Sequence, residues 1–258
     1  MTGGPSPKRR CVFCGEGPLS AEHVFPEWIA ELFREHVGTG DWGHSNSALK
    51  KVWFKPRLDV TAKFVCKGCN SGWLSEIEND AKPVLAPLIL GRGLPVVLSL
   101  ADQRVLAYWA FKTALTASLV SDKKLFGPEP FAELYRRKAP PPLRTVIWTA
   151  GYNSGRPESS IRPRTGRIVV SAYPTQRAAT RFETQSRLIT VSIYWFVFQV
   201  LQYDGYSIPG RSFAQIRGIK RIWPLDAPTD GPFEWPPDRA ALGKGALERF
   251  AHRSDNRI

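Results

Sequence analysis

The sequence predicts an α+β protein with a small cysteine-clamped module first, a helical segment next and an antiparallel β-sheet last. Three observations carry that order. The only four cysteines form two close pairs, Cys11-Val12-Phe13-Cys14 and Cys66-Lys67-Gly68-Cys69. Apolar residues then recur at helical spacing from Asp102 to Ser121, through Val105, Leu106, Trp109, Leu115 and Leu119. Beyond them, Thr145 to Trp148, Arg167 to Ala172 and Leu188 to Leu201 are rich in β-branched and aromatic residues, as strands are.

A thiolate pair with two residues between its members sits on a tight knuckle that offers both sulfurs to one metal. Two knuckles complete a tetrahedral four-sulfur shell, so Cys11, Cys14, Cys66 and Cys69 are the expected ligands of a structural Zn2+. Such a closed shell leaves no position for water or substrate, and its binding energy is folding energy. The competing reading is two disulfides. The chain opens on Met1-Thr2-Gly3-Gly4 without a positive-then-apolar leader, which predicts a reducing, cytoplasmic location where disulfides are disfavoured.

The first ten residues, rich in Gly, Pro, Ser and Lys/Arg, are expected to form a flexible basic arm (1–10). The knuckle module then spans 11–92. Within it, Leu19 to Pro26 reads as an extended piece, Pro26 suits the entrance of a helix over 27–36, and 37–47 reads as a loop. Strand-like pieces follow at 51–54 and 62–65. After the second knuckle Leu74, Ile77 and Ala81 predict a helix that Pro83 and Pro87 disturb, with Trp28, Trp73 and Ile77 in the core and Glu78 on a solvated face.

Gly91-Arg92-Gly93 marks the boundary to a basic α+β part, 93–258. Asp102 is the expected cap of its first helix. A second helix is expected over 130–138, ending before Pro140-Pro141-Pro142, and a last one over 239–249 beyond the proline-rich stretch 223–237. The segments 151–166 and 175–186 read as polar, arginine-bearing connections between strands.

Lys plus Arg number 36 against 23 Asp plus Glu, a formal excess of 13 that favours a polyanionic partner, nucleic acid before anionic lipid. Residues 1–100 hold 12 basic and 10 acidic side chains, so nearly all of the excess lies in 101–258. There Lys123, Lys124, Arg136, Arg137, Lys138, Arg144, Arg156, Arg162, Arg164, Arg167, Arg177, Arg181 and Arg187 meet few acids, which suits a phosphate-binding face as well as a merely solvated surface. No apolar run reaches the roughly eighteen residues of a membrane helix, so no membrane partner is expected.

Between the knuckles stands Ser20-Ala21-Glu22-His23-Val24-Phe25-Pro26, and directly after the second one Asn70-Ser71-Gly72-Trp73. With the cysteine pairs, this order resembles the zinc-knuckle branch of the HNH endonucleases: Cys-x-x-Cys, an acidic residue followed by His and a nearby Pro, then Cys-x-x-Cys followed by His or Asn. The resemblance covers about residues 11–85. It implies a ββα-metal, treble-clef-like fold, with the hairpin holding the His and the second knuckle starting the helix.

By that resemblance His23 is the general base, while Glu22 and Asn70 are ligands of a catalytic Mg2+ or Mn2+. An imidazole near pKa 6.5 can take a proton from water at neutral pH, and a carboxylate with an amide oxygen suits a hard divalent ion. The family's middle residue is an Asn separated from the last ligand by eight intervening residues. Here that position is Thr61, whose hydroxyl could brace the His-bearing loop less fully than an amide. The alternative register, Asn70 as the middle residue and Asn79 as the last, would place the two about 180° apart on one helix. Lys63 and Lys67 lie close enough in sequence to reach a phosphate; His36, His44 and His252 have no ligand spacing.

The implied activity is hydrolysis of DNA phosphodiester bonds, the first module cutting and the basic part holding the substrate. A second reading is a non-catalytic, zinc-stabilised nucleic-acid-binding protein. A third, an interaction adaptor rich in Trp and Phe, has only the 12% aromatic content behind it, which a core explains equally well.

Overall fold

The computed structural model describes residues 9–36, 43–45, 52–54, 61–91, 95–120, 125–153, 159–175, 178–204, 217–225 and 230–251. Helices and a largely antiparallel sheet are both present, so the chain is α+β. Most of the predicted flexible arm and of the 37–47 loop lies outside the described residues, as do Lys123 and Lys124.

The amino-terminal part begins with the strand β1 (Leu19–His23) and the helix α1 (Glu27–His36). Ile29 N–H donates to the Pro26 carbonyl at 3.0 Å, so Pro26 stands at the helix entrance as its missing N–H allows. Two short strands, β2 (Gly43–Ser45) and β3 (Val52–Phe54), pair with each other. The strand β4 (Thr61–Cys66) returns antiparallel to β1, and the single turn α2 (Lys67–Cys69) follows it.

From Asn70 the chain winds through a widened turn broken at Gly72 (φ −100°, ψ −121°) before the regular helix α3 (Ser75–Leu90). The prolines do not end α3. Pro83 and Pro87 are four apart and both exposed, so the carbonyls they leave without an N–H face water. Ile77, Ala81, Leu85, Leu88 and Ile89 bury the other side. Gly91, at φ +61°, closes α3 with its N–H on the Pro87 carbonyl.

After β5 (Val96–Leu98) comes α4 (Leu100–Leu119). Its cap is Ser99 and not Asp102. The Ser99 hydroxyl accepts the Asp102 N–H at 3.1 Å while the Asp102 carboxylate accepts the Ser99 N–H at 2.9 Å, a reciprocal box that satisfies two orphan donors. This helix is buried almost all round, including Lys112 at 0% exposure. Its ammonium donates to the Glu78 carboxylate of α3 at 2.5 Å, so Glu78 is an ion-pair partner and not a solvated face. A buried ammonium needs such a partner.

The helix α5 (Glu129–Arg137) precedes a sheet built from β6 (Thr145–Tyr152), β7 (Ser159–Thr175), β8 (Ala178–Ile193), β9 (Phe196–Tyr203) and β10 (Ile219–Trp223). The order across it is β10-β6-β9-β8-β7-β2-β3. The short β11 (Phe233–Trp235) pairs with β5, and β12 (Ala241–Leu242) runs parallel to the end of β6. The last helix, α6, covers Lys244–Ala251 and so starts later than 239, because 241–242 join the sheet.

Three expectations fail in the sheet. The stretch 188–201 is not one strand but two, β8 and β9, joined at Tyr194-Trp195 with Tyr194 at φ +51°. That turn carries none of the usual turn residues and is held from outside: Trp195 N–H donates to the Ile89 carbonyl at 3.3 Å, and Tyr152 N–H donates to the Trp195 carbonyl at 2.8 Å. Most of the two polar connections, 151–166 and 175–186, is strand. β7 and β8 pair from Ser159↔Ile193 to Thr175↔Ala178, and arginine-rich composition masked the alternation there.

Each central strand buries both faces. Ile147, Ile189, Val191, Phe196, Phe198 and Val200 pack toward α3 and α4, where Trp109 meets Phe198 edge-on at 5.4 Å. Val146, Trp148, Val197, Leu201 and Tyr203 pack on the opposite side with Leu247 and Phe250 of α6. The first of these cores is continuous with Cys11, Phe13 and Trp73 around the cysteine pairs. Among the described residues no helix is long and apolar enough to cross a membrane.

Candidate metal centre and its neighbours

The first knuckle turns because Gly15 takes φ +79°, a conformation costly to any residue with a Cβ. Cys11 N–H then reaches the Glu16 carbonyl at 2.9 Å, Gly15 N–H reaches the Cys11 carbonyl at 2.9 Å, and Glu16 N–H donates to Cys14 Sγ at 3.4 Å. The second knuckle uses a strand end: β4 delivers Cys66 in extended conformation, and the Cys69 N–H turns back to Cys66 Sγ at 3.4 Å. Such N–H···S contacts stabilise thiolates in both knuckles.

What holds the two knuckles together is an irregularity in the β1–β4 ladder. Ser20↔Val65 and Glu22↔Ala62 are both in register, so Ala21 alone faces the two residues Lys63 and Phe64. At this bulge the Phe64 carbonyl accepts the N–H of Val12 at 3.0 Å, which docks the first knuckle on β4. Phe13 fills the gap beneath, edge-on to Trp73 at 5.2 Å and to Phe131 at 5.5 Å.

As a result the Sγ atoms of Cys11, Cys14, Cys66 and Cys69 all lie within 4.8 Å of one another, with Cys14 and Cys66 at 3.5 Å. A tetrahedral zinc with Zn–S near ~2.3 Å requires sulfur–sulfur edges of about 3.8 Å, so the four sulfurs fit one ion of that size. All four cysteines are free of disulfides. Burial pushes the thiols of Cys14 and Cys69 above the ordinary cysteine range. Burial acts on Cys11 in the same sense, but backbone hydrogen bonds at Cys14, Cys66 and Phe13 bring its thiol below that range. Four thiolates packed this closely repel one another, and a divalent cation removes that cost.

The residues of the histidine and asparagine motifs sit at the edge of this cluster. Asn70 follows Cys69 directly and points back at β1: its Nδ2 donates to the Ala21 carbonyl at 2.9 Å and to Ser20 Oγ at 3.3 Å. Ser20 Oγ in turn donates to the Val65 carbonyl at 3.2 Å, so the amide and the hydroxyl form a short chain across the ladder. With both bonds made through nitrogen, Asn70 Oδ1 accepts no hydrogen bond from the described residues. His23 is half-buried at the end of β1, and Thr61, exposed, stands directly opposite it in the ladder. Glu22 directly precedes His23 in β1, its backbone paired with Ala62; its side chain is outside the described residues.

Asn70 is therefore tied to the strand that carries His23, two residues before it, and Thr61 is that histidine's cross-strand neighbour. Asn79 is exposed on α3, beyond the break at Gly72, so the continuous helix assumed in comparing the two registers is absent. Lys63 and Lys67 are both exposed. Ser20 escaped the reading of the sequence. Its position opposite the residue before Cys66 would have shown that it faces the start of the second knuckle.

Several cations of the carboxy-terminal part are spent on internal pairs. Arg144 reaches Glu129 and Glu133 at 3.1 Å, Arg137 reaches Glu133 at 3.4 Å, Arg187 reaches Asp204 at 2.7 Å and Arg221 reaches Asp230 at 2.8 Å. The carboxylates of Glu129 and Glu133 hold the Arg144 guanidinium above its ordinary range although burial opposes it. Formal net charge thus overstates what these residues offer to a partner. No family model, curated protein or solved structure matches this chain.

Proposed function

We propose that the protein is a metal-dependent endonuclease of the HNH type that hydrolyses DNA phosphodiester bonds in the cytoplasm, its four cysteines holding a structural Zn2+. In this reading the β1–β4 hairpin, the knuckles and α3 form a ββα-metal, treble-clef-like unit. The observation that carries the reading is the bond from Asn70 Nδ2 to the Ala21 carbonyl. It couples the residue after the second knuckle to the histidine strand and leaves the amide oxygen without a donor among the described residues, as a cation ligand needs.

His23 acts as general base: its neutral imidazole takes the proton of a water attacking the scissile phosphorus. Thr61, the cross-strand neighbour of His23, would brace through its hydroxyl the segment that carries that ring. Glu22 carboxylate and Asn70 Oδ1 would hold Mg2+ or Mn2+, both oxygen donors of the kind such ions prefer. The divalent ion, when bound, supplies positive charge against the scissile phosphate and the leaving 3′ oxygen. The closed sulfur shell does no chemistry. It keeps hairpin and helix at a constant separation, as a catalytic pair requires.

The test is nicking of supercoiled plasmid by the zinc-loaded full-length chain with added Mg2+ or Mn2+. His23→Ala is expected to lower the rate by about 10²- to 10⁴-fold, the range of general-base contributions, with zinc content and melting temperature unchanged. Undiminished nicking by that variant, or no nicking by the wild type, rejects the catalytic reading. Thr61 in place of an Asn favours the second reading, a non-catalytic nucleic-acid binder, which predicts salt-sensitive DNA binding without cleavage.

A further inference from the structure

β8 pairs with β9 only as far as Ser186↔Tyr203, and a last bond from Asp204 N–H to the Gln185 carbonyl closes that edge. β7 meets β2 only at Ser159 and Ser160. Beyond these points, among the described residues, β7 and β8 pair with nothing but each other, from Arg167↔Gln185 out to Thr175↔Ala178. At ~3.4 Å per residue this two-stranded ribbon is about 30 Å long.

A free pair of that length is a liability unless something covers it. Its composition indicates what. Residues 167–185 hold three arginines, Arg167, Arg177 and Arg181, and one acid, Glu183. Cross-strand partners share a face and successive residues alternate, so the register puts Arg167, Arg181 and Glu183 on one face of the free ribbon. Arg181 is opposite Ser171, four steps beyond Arg167, a separation of about 13 Å. One strand of a DNA duplex carries about four phosphates over that distance. Ile168, Val170 and Phe182 occupy the other face.

We infer that the β7–β8 ribbon is a nucleic-acid arm that lies in a groove of duplex DNA and brings Arg167 and Arg181 to its phosphates. A two-stranded ribbon fits the major groove in width, and the charge of the segment matches a polyanion. The inference rests on the proposed DNA substrate for its biological sense, but its test reads binding alone.

Full-length, zinc-loaded protein is titrated into a fluorescently labelled 20-base-pair duplex without added Mg2+ or Mn2+, with anisotropy read at several salt concentrations. Arg167→Gln/Arg181→Gln is expected to weaken binding about tenfold or more at moderate salt and to lower the slope of log K against log salt by about 2. Arg104→Gln/Lys244→Gln removes equal charge from two exposed positions off the ribbon and is expected to change affinity less than about twofold. Equal losses in the two variants, unchanged binding by the ribbon variant, or ribbon-dependent binding of phosphatidylserine vesicles in place of DNA would each overturn the arm. If His23→Ala nicks normally while the ribbon variant loses binding, the catalytic reading fails and the arm stands. Unchanged binding by the ribbon variant beside loss of nicking in His23→Ala gives the reverse.

Discussion

The cysteine module and the sheet body are held by different physics. Around the sulfurs, β1 and β4 are five and six residues long and form a two-stranded ladder interrupted by a bulge. Alone, such a hairpin is marginal in water. In the body, β6 and β9 are buried along their whole length on both faces, between α3 and α4 on one side and α6 on the other. Hydrocarbon burial suffices there. The two regions nevertheless share one continuous core through Phe13, Trp73 and α3, so distinct causes of stability act within one connected molecule.

Cys69→Ser is expected to separate the two regions most widely. Cys69 is 3% exposed and sits where the second knuckle turns. Loss of one sulfur from a closed shell forfeits most of a metal-binding free energy that is on the order of 10 kcal/mol in structural zinc sites. The expected outcome is zinc content falling from one ion per chain to none, with amide-exchange protection lost over 11–23 and 61–74 while β6 and β9 keep theirs. Equal loss of protection in β6 and β9 would show that module and body fold as one unit.

How much of this was legible in the sequence follows the same division. The clustering of the four cysteines, α1 and the strand ahead of Cys66 could be read because local chemistry determines them: sulfur spacing, a proline at a helix entrance, the adjacent Phe64 and Val65. The Tyr194-Trp195 turn could not, because its support comes from Ile89 and Tyr152, distant in the chain. Pro83 and Pro87 misled for a related reason, since only the packed structure tells which face of α3 meets water. Glu78 gained its partner from Lys112, 34 residues away on another helix. At the candidate site, the Asn70 contact with β1 depends on a bulge that no residue type announces.

Where the two regions meet, Gly91 offers a sharper probe. It combines φ +61° with a backbone so close to Trp195 that an added Cβ would overlap that residue's Cβ and Cγ. Neither obstacle yields easily, since the Trp195 Cβ is fixed by its own backbone. Gly91→Ala is expected to cost on the order of 2–4 kcal/mol from strain and overpacking, seen as a lower denaturation midpoint with unchanged zinc content. Release of zinc at the same denaturant concentration as body unfolding would locate the coupling between module and body at this junction.

The smallest effect concerns the α3–α4 contact that supports both regions. Burial, and then the Glu76 carboxylate, push the Tyr108 phenol up to about 12. The unfolded chain would release that proton near pH 10, so folding is favoured while the phenol stays protonated. This contribution is fully present below pH 10 and disappears as pH rises from 10 to about 12. Tyr108→Phe removes the titrating proton while keeping the ring. The denaturation midpoint of the variant is therefore expected to fall less steeply than that of the wild type across this interval. Parallel slopes would mean that the phenol meets water as freely in the folded chain as in the unfolded one, and that α3 and α4 are less tightly apposed at Glu76 than their packing farther along implies.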